Sequence, residues 1–235
     1  MAKTEQDRNQ DLKCSWDANA KPWTVVVRGG GIPSRAAGTD QAIVDAVGGL
    51  KPRRVVDIGC GEGWLVRRLV NDFGCDVVGI DGSAQLVADA LAAHASGSYT
   101  VLTYEALIAQ PDQLGGLFDV AICNFSLLGE DLSPILAAVG QSLAANGSLL
   151  IQTLHPWTGC GENEYSDGWR NETFATFETG DWAAMPWFYR TLGSWFRVID
   201  AAGFIVADFQ EPTDPQTRKP LSAIFRCILN ESKQR

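Results

Sequence analysis

Five short apolar runs alternate with amphipathic segments in the central part of the chain. The runs lie at 54–58, 76–80, 99–104, 118–123 and 147–154. The segments between them, at 62–72, 83–95, 105–114 and 131–144, have helical character. Each run is apolar almost without interruption, which is typical of a strand covered by helices on both faces. The alternation predicts a parallel sheet with right-handed crossovers, whose ligands bind outside the carboxyl ends of the strands.

This alternation stops after the fifth run. Residues 156–190 lack periodicity and are rich in aromatic side chains, so we predict a cap in this stretch. A last helix at 191–202 and two strands at 204–209 and 222–229 are predicted to follow the cap.

The N-terminal part is predicted to be an arm outside the main domain. Residues 1–13 are polar and are predicted to be disordered, and residues 14–37 are predicted to be irregular, because they mix aromatic side chains with glycines. A helix is predicted to begin at Thr39. The predicted organisation is therefore an arm over 1–37 and one domain over 38–235 that contains the cap.

A glycine-rich turn follows the first apolar run, which ends at Ile58. Its glycines are Gly59, Gly61 and Gly63, and the second run leads into Asp81. Glycines let the backbone approach a ligand closely, and a carboxylate at the end of the next strand can accept hydrogen bonds from a ribose diol. The two runs together predict a pocket for a cofactor that contains a nucleoside.

The glycine spacing separates two classes of cofactor. A dinucleotide fingerprint requires G-x-G-x-x-G, and Trp64 stands at the position of its third glycine. Asp57 opens the turn and would be a poor neighbour for a pyrophosphate, whereas a ligand with a cationic amine and a sulfonium group tolerates carboxylates. The spacing therefore disfavours a nicotinamide oxidoreductase.

The glycine-rich turn resembles motif I of the class I S-adenosylmethionine-dependent methyltransferases, and Asp81 matches their ribose-binding acid. The resemblance continues through 118–124 and 147–151, and it covers residues 40–230. It implies an α/β fold with a Rossmann-like, doubly wound, seven-stranded sheet, which is mostly parallel with an antiparallel last strand. It also implies an enzyme that takes a methyl group from S-adenosylmethionine, leaves S-adenosylhomocysteine and needs no metal.

The resemblance further implies which residues bind the cofactor. They are Arg35, Asp57, Gly59, Cys60, Gly61, Asp81, Gly82, Tyr104, Glu105, Asn124 and Phe125. A guanidinium fork matches the cofactor carboxylate, and Arg28 is the alternative to Arg35 for that role. Asp57 either contacts the ammonium group or only caps the turn. Tyr104 stands where the family often has Asp, so the adenine contact belongs to either Tyr104 or Glu105.

The acceptor is predicted to bind beside the end of the fifth strand. His155 follows that strand directly and is the candidate general base, with a hydrogen-bonded histidine in a strand-end turn as the alternative. The candidate acceptor-binding residues are Trp157, Trp169, Arg170, Tyr189 and Arg190. Aromatic and Arg side chains suit an apolar or planar acceptor with a polar or anionic group. Trp16 and Trp23 either fold over the cofactor or only anchor the arm.

Composition narrows the functional classes. The chain has 235 residues and a net charge of −9, which argues against nucleic acid as a partner. No apolar run reaches the roughly 18 residues of a membrane span, and the polar N-terminus does not resemble a signal peptide. Six scattered cysteines and two histidines lack the spacing of a zinc site. These features predict a cytoplasmic protein with reduced thiols, either a monomer or a homodimer.

The function that the sequence predicts is methyl transfer from S-adenosylmethionine to an oxygen or nitrogen of a small molecule. A methyltransferase acting on a macromolecule is the first alternative. Adenine-N6 enzymes of the family carry prolines after the fourth strand, and the segment Asn124-Phe125-Ser126-Leu127 has none. A non-catalytic protein that binds S-adenosylmethionine or S-adenosylhomocysteine is the second alternative.

Overall fold

Nine strands and eight α-helices are formed by the residues that the computed structural model describes, which are 3–177, 180–230 and 232. Residues 1–2 of the predicted arm and 178–179 of the predicted cap lie outside them. The strands are β1 (Arg54–Ile58), β2 (Asp76–Asp81), β3 (Ser98–Val101), β4 (Phe118–Asn124), β5 (Leu143–Leu154), β6 (Gly168–Glu172), β7 (Met185–Tyr189), β8 (Phe204–Gln210) and β9 (Ser222–Leu229). The helices are α1 (Glu5–Arg28), α2 (Asp40–Leu50), α3 (Trp64–Phe73), α4 (Ala84–Ala93), α5 (Tyr104–Ala109), α6 (Ser133–Gln141), α7 (Pro156–Gly159) and α8 (Leu192–Ala201).

Seven strands form one sheet in the order β3-β2-β1-β4-β5-β9-β8. The first five strands of this order pair in parallel, whereas β9 runs antiparallel to both β5 and β8. This confirms the predicted doubly wound sheet with an antiparallel last strand. The strands β6 and β7 pair with each other in a separate antiparallel hairpin within the cap.

Apolar side chains cover both faces of the large sheet. Val55 and Val56 are neighbours on β1, yet they belong to two different buried clusters, because successive side chains of a strand point to opposite faces. One cluster includes Leu136 of α6, and the other includes Leu65 of α3. Burial on both faces explains why each central strand is a continuous apolar run in the sequence.

The prediction for the N-terminal arm was wrong, because most of it is the 24-residue helix α1. A capping box starts this helix: Asp7 N–H donates to Thr4 Oγ1 at 3.2 Å, and Thr4 N–H donates to the Asp7 carboxylate at 3.0 Å. The helix contains Pro22, and its buried positions are mostly small or polar. It therefore lacks the apolar stripe by which a helix is recognised in a sequence.

Contacts with distant segments hold α1 in place. The Asn19 side chain exchanges two hydrogen bonds of 2.8 Å with the backbone of Ala183 in the cap. Thr24 Oγ1 donates to the Asp89 carboxylate of α4 at 2.7 Å. Tertiary contacts of this kind supply most of the stability of a protein helix. No helix in the described part of the chain has the length and apolarity needed to cross a bilayer.

Smaller corrections concern two strands and the cap. The third strand ends at Val101 rather than at 104, because Thr103 caps α5 by accepting from Ala106 N–H. The fifth strand begins at Leu143 rather than at 147, and Asn146 lies inside it with a φ of 65°. The cap is not wholly irregular, since it contains α7 and the β6–β7 hairpin.

Candidate functional site

The glycine-rich turn after β1 is held by backbone hydrogen bonds to β2. The amides of Gly59 and Cys60 both donate to the carbonyl oxygen of Ile80, at 2.8 and 2.9 Å. Gly59 has a φ of +78°, and a Cβ there would lie 2.4 Å from the Cβ of Ser126. Both the left-handed conformation and the close approach require glycine at this position. The turn thus brings its backbone to the carboxyl end of the sheet, as the sequence predicts.

Asp81 ends β2 beside this turn. Its Oδ2 accepts from the Gly61 amide at 2.9 Å, and its Oδ1 accepts from the Ser83 amide at 2.8 Å. Burial raises the pKa of the carboxyl group, and these two hydrogen bonds act in the opposite direction. Each carboxylate oxygen has a second lone pair, so Asp81 can also accept hydrogen bonds from a ligand.

Asp57 is the most unusual group of the site. Asp57 is only 2% exposed, and its Oδ1 has no hydrogen-bond partner in the described structure. Burial, and then the nearby charge of Asp81, raises the pKa of Asp57 to about 7, whereas Arg35 lowers it. A buried carboxylate oxygen without a partner is costly, and a cationic ligand group would relieve that cost. This geometry fits the ammonium group of S-adenosylmethionine.

A cavity of about 400 Å³ opens at this edge of the sheet, and we call it the first cavity. It is lined by all eleven predicted cofactor-binding residues, which are Arg35, Asp57, Gly59, Cys60, Gly61, Asp81, Gly82, Tyr104, Glu105, Asn124 and Phe125. Trp16 and Trp23 of α1 also line it, with ring centroids 5.3 Å apart in an edge-to-face arrangement. The structure therefore brings the predicted set together and places both tryptophans at the cavity.

Arg35 lies in a short π-helical turn, Arg35–Thr39, ahead of α2. Its guanidinium lies 3.5 Å from the Asp40 carboxylate and 4.7 Å from the ring centroid of Trp64. Arg28, the alternative candidate, instead pairs with Glu62 at 2.8 Å and does not line the first cavity. Of the two arginines, Arg35 is the one placed to meet a ligand carboxylate.

Glu62 lines the first cavity and was missed by the sequence analysis. Its carboxylate is buried and accepts two hydrogen bonds from Arg67, at 2.8 and 2.7 Å, besides the one from Arg28. The signal for this ion pair in the sequence is Arg67, a basic residue five positions after Glu62. Because both carboxylate oxygens are engaged by guanidinium groups, Glu62 joins α1, the turn and α3 into one ionic network.

Tyr104 and Glu105 begin α5 rather than end a strand. The Tyr104 hydroxyl donates to the carbonyl oxygen of Ser126 at 3.1 Å, and burial raises the pKa of this phenol well above its usual range. Its polar atom is thus already used inside the protein. Glu105 is exposed at the cavity, which makes it the better placed of the two side chains for an adenine amino group.

The end of β4 contributes Asn124 and Phe125. Asn124 Oδ1 is buried without a hydrogen-bond partner in the described structure. Phe125 has a φ of +53°, and its amide donates to the carbonyl oxygen of Gln152 at 2.8 Å. A non-glycine residue in this conformation is strained and is typical of ligand sites.

A second cavity of about 240 Å³ adjoins the first on the side of the cap. Both cavities are lined by Trp16, Trp23, Arg35, Phe125 and Leu128. Among the aromatic residues of the second cavity are Phe174, Phe177, Trp187, Phe188, Tyr189 and Trp195, and Arg190 lines it as well. Two of the five predicted acceptor-binding residues, Tyr189 and Arg190, therefore line the cavity that adjoins the first one.

The other three predicted acceptor-binding residues line neither cavity. Trp157 is 71% exposed on α7. The indole of Trp169 donates to the Glu130 carboxylate at 2.8 Å, outside the cavities. Arg170 donates to the carbonyl oxygens of Gly159 and Cys160, with its guanidinium stacked 3.5 Å from the Tyr189 ring centroid. Of the three, Arg170 contacts Tyr189 in the wall of the second cavity without reaching the lining.

His155 also lies outside both cavities. It is 5% exposed, and its Nδ1 accepts from the Trp157 amide at 3.2 Å, which caps α7. Its Nε2 lies 2.7 Å from the Glu211 carboxylate and donates to it, because Nδ1 is the acceptor. Both ring nitrogens are engaged, so the geometry matches the alternative of a hydrogen-bonded histidine in a strand-end turn and does not support a general base.

We expect His155→Ala to lower the free energy of unfolding by about 1–2 kcal/mol, because the helix cap and the half-buried hydrogen bond to Glu211 are lost. The affinity for S-adenosylhomocysteine should not change. Urea unfolding and calorimetric titration measure the two effects. If the variant were as stable as the wild type but had lost turnover, His155 would be a catalytic residue after all.

Residues 55–147 match the protein family that is described as a methyltransferase domain. Over these residues the chain is similar to methyltransferases. Among solved structures, the fold resembles that of the 1,6-didemethyltoxoflavin-N1-methyltransferase of Burkholderia thailandensis, with a TM-score of 0.66. The two sequences are 15% identical, and the superposition covers 98% of this chain and 92% of the other.

Two curated methyltransferases are related in sequence. The chain is 27% identical over 145 residues to a protein of Caenorhabditis briggsae named as a probable tRNA (uracil-O(2)-)-methyltransferase, covering 62% of this chain and 24% of that protein. It is 28% identical over 145 residues to the ribosomal protein L11 methyltransferase of Stenotrophomonas maltophilia, covering 61% of this chain and 44% of that protein. The chain thus spans less than half the length of either relative.

Proposed function

We propose that this methyltransferase binds S-adenosylmethionine in the first cavity and transfers its methyl group to an oxygen or nitrogen of a small molecule in the second. The observation that carries the proposal is the pair of carboxylates at the carboxyl ends of β1 and β2. Asp57 offers a buried oxygen without a partner, and Asp81 is held in position by two backbone amides. An ammonium group and a ribose diol are the ligand groups that match this pair.

The remaining contacts follow from the positions of the residues around this pair. Arg35 would pair with the cofactor carboxylate, and the backbone at Gly59, Cys60 and Gly61 would line the methionine part. Gly82 leaves space beside the base, since a Cβ there would meet only Thr103, at 3.8 Å. Glu105 would accept a hydrogen bond from the adenine amino group.

Bound S-adenosylmethionine supplies an electrophilic methyl group on a sulfonium sulfur. The residues of the chain align the acceptor with that methyl group and exclude water, which supplies much of the rate enhancement of such a displacement. Phe125, Trp16 and Trp23 line both cavities and would stand at the point of transfer. The described lining of the second cavity contains no histidine or lysine, and its carboxylate, Glu172, accepts a hydrogen bond from the Phe174 amide. We therefore assign the main contribution of the protein to alignment rather than to proton abstraction.

A small acceptor is favoured by the limited volume of the second cavity, about 240 Å³. Helix α1 and the cap both contribute to its lining, and Asn19 joins these two segments. The second candidate is a macromolecular acceptor, because the two curated relatives are named for tRNA and for a ribosomal protein. The net charge of −9 does not favour RNA.

Parallel calorimetric titrations with S-adenosylmethionine, S-adenosylhomocysteine and NAD test the cofactor. We expect the two sulfur nucleosides to bind with a stoichiometry of one and NAD to give no heat. Binding of NAD alone would contradict the proposal.

The acceptor class is tested by turnover with S-adenosylmethionine labelled in its methyl group. Label should appear in members of a small-molecule library and not in total tRNA or ribosomal protein. Label in the macromolecules alone would support the second candidate. Tight cofactor binding without label in any fraction would support a non-catalytic binding protein.

A further inference from the structure

We propose that the second cavity binds a flat one- or two-ring aromatic molecule with an anionic oxygen, and that Arg190 receives that oxygen. The inference rests on the proposed function only where it identifies this molecule as the methyl acceptor. The binding site itself depends only on the cavity and on its charged side chains.

Arg190 is a buried cation with an unused donor. The residue is 3% exposed, and its Nη2 donates to the carbonyl oxygens of Gly129 and Glu130. Its Nη1 is buried and has no hydrogen-bond partner in the described structure. No ion pair joins Arg190 to a carboxylate of the described residues. Burying a guanidinium in this way is costly, and an anionic ligand oxygen at Nη1 would offset the cost.

Two aromatic rings lie close to the Arg190 guanidinium, and further rings line the same cavity. The guanidinium carbon of Arg190 lies 4.8 Å from the ring centroid of Phe188 and 5.4 Å from that of Trp195. Trp187 and Tyr189 lie 6.0 Å apart in an edge-to-face pair, and both line the cavity. Rings in such arrangements offer flat apolar faces, against which another aromatic ring packs well. The cavity volume of about 240 Å³ limits the ligand to one or two rings.

The charges of the lining select an anion over a cation. The cationic side chains of the described lining are Arg35 and Arg190, and its carboxylate is Glu172. Glu172 lies on the exposed part of β6, and its Oε1 accepts from the Phe174 amide at 2.7 Å. Arg35 is assigned to the cofactor carboxylate, so Arg190 is the cation that remains for a second ligand. The charges of Asp167, Glu130 and Asp131 act on Arg190 without forming an ion pair with it in the described structure. An anionic oxygen can accept from its unused Nη1, whereas a protonated amine would meet a like charge there.

The test compares naphthoate with naphthamide, two probes of nearly equal shape of which only the first is charged. Binding of each to the wild-type protein saturated with S-adenosylhomocysteine is followed by calorimetry. We expect naphthoate to bind about tenfold or more tightly than naphthamide, the ratio typical of one charged hydrogen bond. Equal affinities, or no binding of either probe, would overturn the inference without any variant.

Arg190→Gln then assigns the effect to this side chain. In this variant, naphthoate and naphthamide should bind with about equal affinity. Cooperative unfolding of the variant shows that it is folded. Arg197→Gln is the matched control, because it removes the same charge from the exposed surface of α8 and should keep the preference. A preference that survives in Arg190→Gln would overturn the assignment.

Titrations without nucleoside separate this inference from the proposed function. Naphthoate binding that depends on Arg190, in a protein that binds no S-adenosylhomocysteine, would support the anion site and contradict the cofactor proposal. Nucleoside binding without naphthoate binding would support the cofactor proposal and overturn the anion site.

Discussion

Replacing Asp57 with asparagine is expected to make the ligand-free protein more stable. The pKa of Asp57 is about 7 in the folded protein and 3.8 in the unfolded chain. Between these values the folded state holds a proton that the unfolded state has released, so stability falls as the pH rises from 4 to 7. The penalty is complete above pH 7 and amounts to at most roughly 4 kcal/mol. Asparagine carries no such penalty.

Urea unfolding of the wild type and of Asp57→Asn at pH 5 and pH 8 measures this effect. The stability advantage of the variant should be larger at pH 8. Asp119→Asn is the matched control on β4, since two backbone amides lower the pKa of Asp119. That carboxylate stabilises the fold above its unfolded pKa, so its replacement should be destabilising at pH 8. A less stable Asp57→Asn variant at pH 8 would contradict the buried, unpartnered carboxylate.

The same variant should bind the cofactor less tightly. Loss of a charged hydrogen bond to the ammonium group costs about 1.5–3 kcal/mol, or roughly 10- to 150-fold in affinity. Wild-type affinity for S-adenosylhomocysteine should rise as Asp57 ionises through pH 7, whereas that of Asp57→Asn should stay flat over this range. Such a variant, more stable but weaker in binding, is expected where a ligand-binding group destabilises the ligand-free protein.

Asp81→Ala is expected to weaken S-adenosylhomocysteine binding by a similar factor, about 10- to 150-fold. It removes the proposed ribose acceptor and also leaves the amides of Gly61 and Ser83 without their partner. Calorimetric titration measures the affinity, and thermal unfolding shows whether the turn keeps its fold.

Asp76→Ala, at the other end of β2, is the control for Asp81→Ala. Asp76 is exposed at the start of β2, where it pairs with Arg54 at 3.1 Å. It does not line the first cavity, which lies at the other end of the strand. Its replacement should leave the affinity at the wild-type value. Wild-type affinity in a folded Asp81→Ala protein would refute the ribose assignment.

The parts of the fold that the sequence predicted are those whose causes are local. The central strands β1 and β4 are apolar because both faces of the sheet are covered there, so their positions can be read from the sequence. The turn at Gly59 requires glycine because its φ is positive and Ser126 lies too close for a Cβ. The spacing of the glycines at 59, 61 and 63 makes this turn visible in the sequence. The family resemblance implied the eleven predicted residues of the first cavity. Ten of them lie at or just after the carboxyl ends of parallel strands, which meet at one edge of the sheet, whereas Arg35 lies ahead of α2.

The parts that the sequence did not predict depend on distant partners. Helix α1 is stabilised by Asp89 and Ala183, which lie 65 and 164 residues away from the side chains they contact. His155 takes its role from Glu211, 56 residues further along. In the cap, Arg170 and Arg190 look equivalent in the sequence. Only the folded hairpin shows that Arg190 lines the second cavity whereas Arg170 lies behind Tyr189.

A crystal structure of the complex with S-adenosylhomocysteine decides whether the two carboxylates at the ends of β1 and β2 bind the cofactor. We expect the nucleoside in the first cavity, with its ribose hydroxyls donating to Asp81 and its ammonium group beside Oδ1 of Asp57. A nucleoside bound elsewhere, or one whose ribose and ammonium groups contact neither carboxylate, would contradict this expectation.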